Sequence, residues 1–486
     1  MVDDRQFVIV PSKLKGNKVG YVFSNDRQKE ITLPNGLILI YEKHLNVCNN
    51  GDSSAVLIGD AWQVDSLRDC PKDIIKTFNE ETTIEDVYQE EKTWCGRYIL
   101  IVNNWLFLDF CGTLGVFYAD GPQISSSYRI LCEITGTDVI YPDTLGEGLM
   151  NFVPGPLTPA NGVMRLLPSE IINIATGERR TRPLNPDGVW NVENDRERIN
   201  ILNKYFSCSL RNMVKHFSGS NFWLALTGGI DSRTLMALLE SAGVEYKAFT
   251  CWHERISKAD LEQPRKLADA LHVPYKFIER KQENHSESRA EEYRRHTGGM
   301  ADDGDKPMYI YGQYQQLDSE HQVVLLRSAI WGCPRNYFKG KFAQKDAYEM
   351  EQTFDSTKVF PKSKLHNLYT KSFNLYDNYV NNDKVNKDIT LWNRLMIEQR
   401  QGAWLSSIEQ GFDLMDDITS IECCNSRLFF SIQLGFSEKD MLLKKHEMNI
   451  VKQLCPILSK YRYQYNLTFK KRVKNVLDEL KMWFSK

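Results

Sequence analysis

Phe222-Trp-Leu-Ala-Leu-Thr-Gly-Gly-Ile-Asp-Ser-Arg-Thr-Leu-Met-Ala-Leu-Leu239 decides how this chain is read. A short apolar run ends at Thr227-Gly228-Gly229-Ile230-Asp231-Ser232, and a helical pattern follows. Leu224 and Leu226 suit a parallel strand buried on both faces. Leu235, Leu238, Leu239 and Ala242 recur at helical spacing, and Gly243 stands where a glycine closes a helix. Asp231 and Ser232 are expected to cap the helix start. A strand, a glycine turn and a helix start therefore meet within a few residues. Glycines let a backbone approach an anion, and free N–H groups at a helix start point at it. The plain alternative is an ordinary tight turn. The pattern Ser/Thr-Gly-Gly-any-Asp-Ser should arise by chance in roughly one chain in a thousand of this size, so the phosphate reading is preferred. Asp231 serves a polyphosphate mainly through a bridging Mg²⁺.

The surroundings of this stretch alternate between the two periods. Helix 196–216 leads to strand 222–226, helix 232–242 to strand 245–251, helix 258–272 to strand 274–279, and helix 286–297 to strand 323–328. Such alternation predicts an α/β unit with a doubly wound parallel sheet. The loop then lies at the carboxyl end of the unit's first strand, where open α/β sheets bind ligands. From about 365 onward the pattern is mostly helical. Upstream, residues 7 to about 135 are strand-rich, with candidates at 19–23, 37–42, 55–59, 97–102, 105–110, 115–118 and 128–133 and one helical piece near 82–90. Asn103-Asn104 predicts a hairpin turn. Residues 139–195 are rich in Pro and Gly and read as connector.

At 486 residues the chain exceeds one ordinary core, and its formal charge of −2 gives no bulk attraction to nucleic acid or membrane. The eleven cysteines are scattered without a repeated Cys-x-x-Cys or a His spacing for zinc. Together with the polar start Met1-Val2-Asp3-Asp4, this predicts reduced thiols in a cytoplasmic protein. The most apolar stretch, 97–119, carries Arg97, Asn103, Asn104 and Asp109 and reads as two strands, not a membrane span.

The 227–232 segment resembles the PP-loop of the N-type ATP pyrophosphatases, with Thr227 in place of the usual serine. Its flanks are most similar to the asparagine synthetase superfamily. The likeness extends weakly over about residues 30 to 460. Gly59, Gly96-Arg97-Tyr-Ile-Leu-Ile-Val102, Asp109 and Gly112 to Tyr118 are similar to that superfamily's amino-terminal glutaminase-type domain. Asp260 and Val323–Ser328 fit its synthetase domain. The resemblance implies residues 1–180 as a degenerate glutaminase-like (Ntn-type) α+β sandwich. It implies residues 196–486 as an ATP pyrophosphatase domain with a helical carboxyl-terminal part. It further implies ATP and Mg²⁺ as cofactors, with Leu226, Thr227, Gly228, Gly229, Asp231, Ser232, Thr250, Arg327 and Ser328 around the nucleotide and Asp231 on the metal.

Two departures shape the expected activity. Glutaminases of this type use an amino-terminal cysteine, whereas removing Met1 here would expose Val2, so glutamine hydrolysis is not expected. β-Lactam synthetases, carbapenam synthetases and lasso-peptide cyclases show the same departure. In them a substrate carboxylate is adenylated and an amine closes the amide; relatives in glycan pathways join amines to sugar acids. Secondly, asparagine synthetases carry an acidic, Gly-rich turn after the strand matching 323–328. Arg327 to Tyr337 here holds no carboxylate, leaving Arg327 or Arg335 to meet phosphate or a substrate carboxylate. Two acidic candidates remain, Glu398 and Glu422. The resemblance favours Glu422 as the group that takes the amine proton, and Lys444 or Lys460 as the cation that stabilises developing charge. Each of these has a plain alternative as a salt bridge or surface charge. The expected partners are a small-molecule or peptide carboxylate bearing an amine, and a second copy or a biosynthetic protein. A non-catalytic nucleotide-binding scaffold is the alternative, and adenylation of tRNA is a third reading disfavoured by charge.

Overall fold

The computed structural model describes residues 5–14, 27–67, 70–140, 152–190, 192–253, 256–279, 293, 296–297, 313–314, 316–317, 321–333 and 366–463. Within them the chain is a mixed α/β structure with two antiparallel sheets and one parallel sheet.

Twelve strands build the first part. They are β1 (Phe7–Pro11), β2 (Gln28–Thr32), β3 (Leu37–Glu42), β4 (Val47–Asn49), β5 (Ala55–Gln63), β6 (Trp94–Val102), β7 (Trp105–Leu108), β8 (Phe117–Ala119), β9 (Gln123–Ser125), β10 (Val163–Arg165), β11 (Glu170–Asn173) and β12 (Arg179–Thr181). One sheet runs β10-β8-β9-β1-β3-β2 and the other β12-β11-β7-β6-β5-β4. Their facing sides share one core, in which Phe7, Ile9 and Leu39 meet Val56, Ile58, Ile99 and Leu108. The alternate residues are also apolar, because each outer face carries a helix. Val8, Val10, Ile38 and Ile40 pack on Ile130 and Ile134 of helix Tyr128–Thr135. Leu57, Leu100 and Phe107 pack on Val87 and Tyr88 of helix Ile84–Glu91. The result is a four-layer helix–sheet–sheet–helix stack, whose strands read as apolar runs because both faces are covered.

Five strands form the parallel sheet: β13 (Asn221–Ala225), β14 (Lys247–Cys251), β15 (Tyr275–Ile278), β16 (Val323–Arg327) and β17 (Ile418–Glu422). Their order is β15-β14-β13-β16-β17, and every pairing is parallel. From β13 the chain winds outward through β14 to β15, then returns to β16 on the other side. The strand order thus reverses between β13 and β16, and this switch point opens a crevice at the strands' carboxyl ends. Leu224, Leu226, Val324 and Leu326 face helices Asp195–His216 and Ile230–Ala242 in one core. Trp223, Phe249 and Leu325 face Phe373, Leu395, Ile408 and Phe412 in the other.

The two parts are joined by buried polar contacts as well as apolar ones. Arg97 makes a two-pronged pair with Asp413 at 2.5 and 2.8 Å, and Arg427 reaches Glu91 at 2.7 Å. Asn425 donates to Asp109 Oδ1 at 2.8 Å, and Trp62 donates to Ser209 at 2.9 Å.

Three sequence expectations change. Residues 128–133 form a helix, not a strand. Ile130 and Ile134, four residues apart, are buried on one face, and Gly136 closes the helix at φ 71°. The Pro/Gly-rich 139–195 region contains β10, β11 and β12, which complete the two antiparallel sheets. The mostly helical carboxyl-terminal region contains β17, a parallel edge strand beside β16. The expected strand 19–23 and most of helix 286–297 lie outside the described residues. The Asn103-Asn104 turn is present, with φ of 47° and 69°, and joins β6 to β7. No helix among the described residues is long and apolar enough to cross a membrane.

Candidate functional site

The loop after β13 is held by side chains at every step. Leu226 extends the ladder by donating to Phe249 O at 2.8 Å, and Thr250 Oγ1 donates to Leu226 O at 2.7 Å. Thr250 thereby ties the ends of β13 and β14 together. Thr227 N donates to Ser232 Oγ at 3.1 Å, and Gly229 N donates to Thr227 Oγ1 at 3.1 Å. Gly228 N donates to Asp260 Oδ1 at 2.7 Å. Asp260 is itself fixed from helix Lys258–Ala270. Ser257, the residue before that helix, donates to Asp260 Oδ2 at 2.7 Å and accepts from Asp260 N at 3.1 Å. A Cβ on Gly228 would meet the carbonyl oxygen of Ala259 at 2.8 Å, so the close approach of loop and helix needs glycine there.

Gly229, not Asp231 or Ser232, occupies the cap of helix Ile230–Ala242, and no side chain caps it. Ser232 instead turns back into the loop and accepts from Thr227 N. The first-turn amides of this thirteen-residue helix have no intrahelical carbonyl to meet and lie at its positive end. An anionic group fits that end. Asp231 stands in the same turn, 39 % exposed, with Lys444 Nζ 4.0 Å from its Oδ1. Lys444 precedes helix Lys445–Leu454 in a left-handed conformation with φ 57°. For a lysine this backbone costs about 1–2 kcal/mol, which the surrounding fold must offset.

Mg²⁺ takes one or two carboxylates together with phosphate oxygens and water rather than an all-protein cage. Asp231 and Asp260 border the loop, and no group of three or more potential protein ligands occurs among the described residues. That donor set fits a cation shared between Asp231 and a polyphosphate.

Across the switch point the carboxyl end of β16 looks different. Arg327 pairs in register with Glu422 of β17. Arg327 Nη1 is 2.6 Å from Glu409 Oε1, and its Nε is 3.7 Å from Glu422 Oε1. Its guanidinium lies 5.2 Å from the ring centre of Phe412. Glu422 Oε2 accepts from Ile330 N at 3.2 Å, so the turn after Ser328 folds onto this carboxylate. Burial pushes the Glu422 carboxyl up to about 8, with Arg327 opposing and Glu409 adding to the rise.

The other sequence candidates separate. Glu398 is fully buried and joins Arg394, Tyr376 and Ser169 in a network away from the loop. Lys460 is exposed and follows the short helix Pro456–Ser459. Arg335 lies outside the described residues. Asp260 and Glu409 were not among the sequence candidates for binding or catalysis. Ser257-x-x-Asp260 carries a readable capping signature, whereas Glu409 has no local signal. Arg233 was also unassigned. It is fully buried, donates to the carbonyls of Tyr461 at 2.9 Å and Arg462 at 2.8 Å, and lies 4.1 Å from the ring centre of Tyr463.

No protein-family model matches this sequence, and no curated protein matches it. Among solved structures, similarity is found to an NMN synthetase from Francisella tularensis, at TM-score 0.21 and 16 % identity, over 42 % of this chain and 93 % of that one. An NH3-dependent NAD synthetase from Campylobacter jejuni gives TM-score 0.20 and 17 % identity over 42 % and 92 %. A glutamine-dependent NAD+ synthetase from Acinetobacter baumannii gives TM-score 0.18 and 13 % identity over 35 % and 32 %. At these TM-scores the likenesses decide nothing about chemistry.

Proposed function

We propose that this chain is an ATP-dependent, AMP-forming ligase that activates a substrate carboxylate and joins it to an amine. The observation that carries the reading is the Thr227–Ser232 loop. It follows the central strand of a parallel sheet at the switch point, with a glycine pressed against Ala259 and a helix start that no side chain caps. A polyphosphate at the helix start accepts the first-turn amides and the hydroxyls of Thr227 and Ser232. A bound Mg²⁺ supplies charge neutralisation of the phosphates. Asp231 is the residue to hold that cation, and Lys444 lies close enough to meet developing negative charge on the nucleotide side. The substrate carboxylate attacks the α-phosphorus, pyrophosphate leaves, and the amine displaces AMP from the acyl-adenylate. Burial keeps the Glu422 carboxyl protonated to about pH 8, and a cation entering the corner would lower that value and free the carboxylate to act as a base.

In this reading the amino-terminal stack is a degenerate glutaminase-like domain of Ntn type, spanning about residues 1–180, and residues 196–486 form the synthetase domain. The substrate class is a small-molecule or peptide carboxylate with an amine. The test is product analysis. Purified protein is incubated with ATP, Mg²⁺ and pools of amino acids, peptides and amino sugars. AMP and pyrophosphate in equal amounts support the reading; an Asp231→Ala protein with undiminished turnover contradicts it. A nucleotide-binding scaffold is the second reading, favoured by the absence of a carboxylate from Ser328 to Tyr337. It is supported if an ATP analogue binds and no pool yields AMP.

A further inference from the structure

We infer that the corner formed by Arg327, Glu409 and Glu422 recognises an ammonium group, with Glu409 selecting a cationic amine over neutral or anionic partners. The inference gives the amine substrate of the proposed ligase its chemistry, and rests on that reading for its biological sense.

Charge and hydrogen bonding in the corner do not close by themselves. Glu409 and Glu422 have side chains only 1 % and 3 % exposed, and among the described residues the guanidinium of Arg327 lies between them. Each carboxylate has one oxygen engaged, Glu409 Oε1 by Arg327 and Glu422 Oε2 by Ile330 N. The second oxygens, Glu409 Oε2 and Glu422 Oε1, are shielded from solvent and have no hydrogen-bond partner among the described residues. Arg327 Nε at 3.7 Å from Glu422 Oε1 is beyond hydrogen-bond reach. Among the described residues Glu409 Oε2 therefore lacks a donor, and Glu422 Oε1 joins it once Glu422 gives up its proton, when the two carboxylates outnumber the guanidinium between them. An unmet buried acceptor is costly and calls for a donor from outside. An ammonium supplies several N–H donors and the missing positive charge together.

The surroundings favour a cation over an anion. Arg327 is already engaged by Glu409 and lies 3.7 Å from Glu422, so a further carboxylate would meet a guanidinium whose charge is spent. Phe412 lies beneath the guanidinium and Tyr314 lies 5.2 Å from Phe412, so an aromatic wall borders the corner. Access is along Arg327, whose side chain is 21 % exposed. Position also fits. Neighbouring strands lie about 4.8 Å apart, which puts the ends of β16 and β17 roughly 5 and 10 Å from the strand that carries the phosphate loop. An amine held here is within one substrate's length of a carboxylate activated there.

The test uses the full chain and three probes of one size: n-propylammonium, propionate and 1-propanol, titrated calorimetrically. The expected result is saturable binding of n-propylammonium alone. Glu409→Gln weakens it roughly ten- to a hundredfold, the range for a hydrogen bond to a charged group. It leaves the affinity for α,β-methylene-ATP with Mg²⁺ unchanged. Binding of propionate in preference to n-propylammonium overturns the inference, as does equal binding of the amine by Glu409→Gln or no saturable amine binding to the folded wild type. If Glu409→Gln does not fold, the wild-type series decides alone. Amine selectivity without analogue binding sustains this inference and overturns the ligase reading instead.

Discussion

Two neighbouring strands of one sheet end in loops of opposite construction. After β13 the chain presents backbone. Gly228 and Gly229 carry no side chains, the amides of Thr227, Gly228 and Gly229 donate to Ser232, Asp260 and Thr227, and the uncapped first turn of the helix is left to meet an anion. After β16 it presents side chains. Arg327, Glu409 and Glu422 meet in a buried corner, and the following turn is folded onto Glu422 through Ile330 N. The first arrangement suits an anion whatever the rest of its molecule is, because amides read only charge and shape. The second suits a particular charged group. A switch point flanked by both can hold a common cofactor on one side and a selected substrate on the other.

The largest expected effect comes from breaking the side-chain corner. Arg327→Met leaves Glu409 buried without its cation and should cost about 3–5 kcal/mol of stability, measured by urea unfolding. A loss below about 1 kcal/mol, the range of exposed pairs, means the corner is hydrated and not buried as described. On the backbone side, Gly228→Ala forces a Cβ against Ala259 O. Overpacking of this kind costs about 1–3 kcal/mol of stability, and the loop shift that relieves it should weaken ATP-analogue binding at least about tenfold, with a far smaller effect on n-propylammonium. Equal losses of both ligands would erase the distinction between the two loops.

A pH series sharpens the same contrast. The Glu422 carboxyl loses its proton near 4.5 when unperturbed but near 8 in the fold. The unfolded chain therefore binds fewer protons across that window, and stability should fall as pH rises through it. Glu422→Gln should flatten this part of the melting-temperature profile; a parallel profile in the variant argues against the raised value. The smallest effect is expected from Ser257→Ala. It removes a helix cap worth about 1 kcal/mol and the donor that steadies Asp260, so analogue affinity should drop only severalfold.

Much of the parallel-sheet half was legible in the sequence because its signals are local. The apolar run, the paired glycines and the helical spacing after Ile230 all lie within 222–239, and strand–helix alternation carries the sheet around them. The misreadings have physical causes. Tyr128–Thr135 contains two isoleucines and a threonine, which favour strands, but the sheet beneath rewards the four-residue spacing of Ile130 and Ile134. β17 is five residues long and amid helices, so its identity comes from pairing with β16, not from its own pattern. Glu409 joins Arg327 across 82 residues, a distance over which a single sequence carries no signal. Arg327, expected to await an anion, is instead engaged by two carboxylates of the chain itself.

The most direct measurement is calorimetric titration of α,β-methylene-ATP with Mg²⁺ into the wild-type, Asp231→Asn and Gly228→Ala proteins. Saturable binding to the wild type that weakens at least tenfold in both variants is the predicted result. No binding to the wild type, or binding that neither substitution disturbs, contradicts a nucleotide site at the Thr227–Ser232 loop.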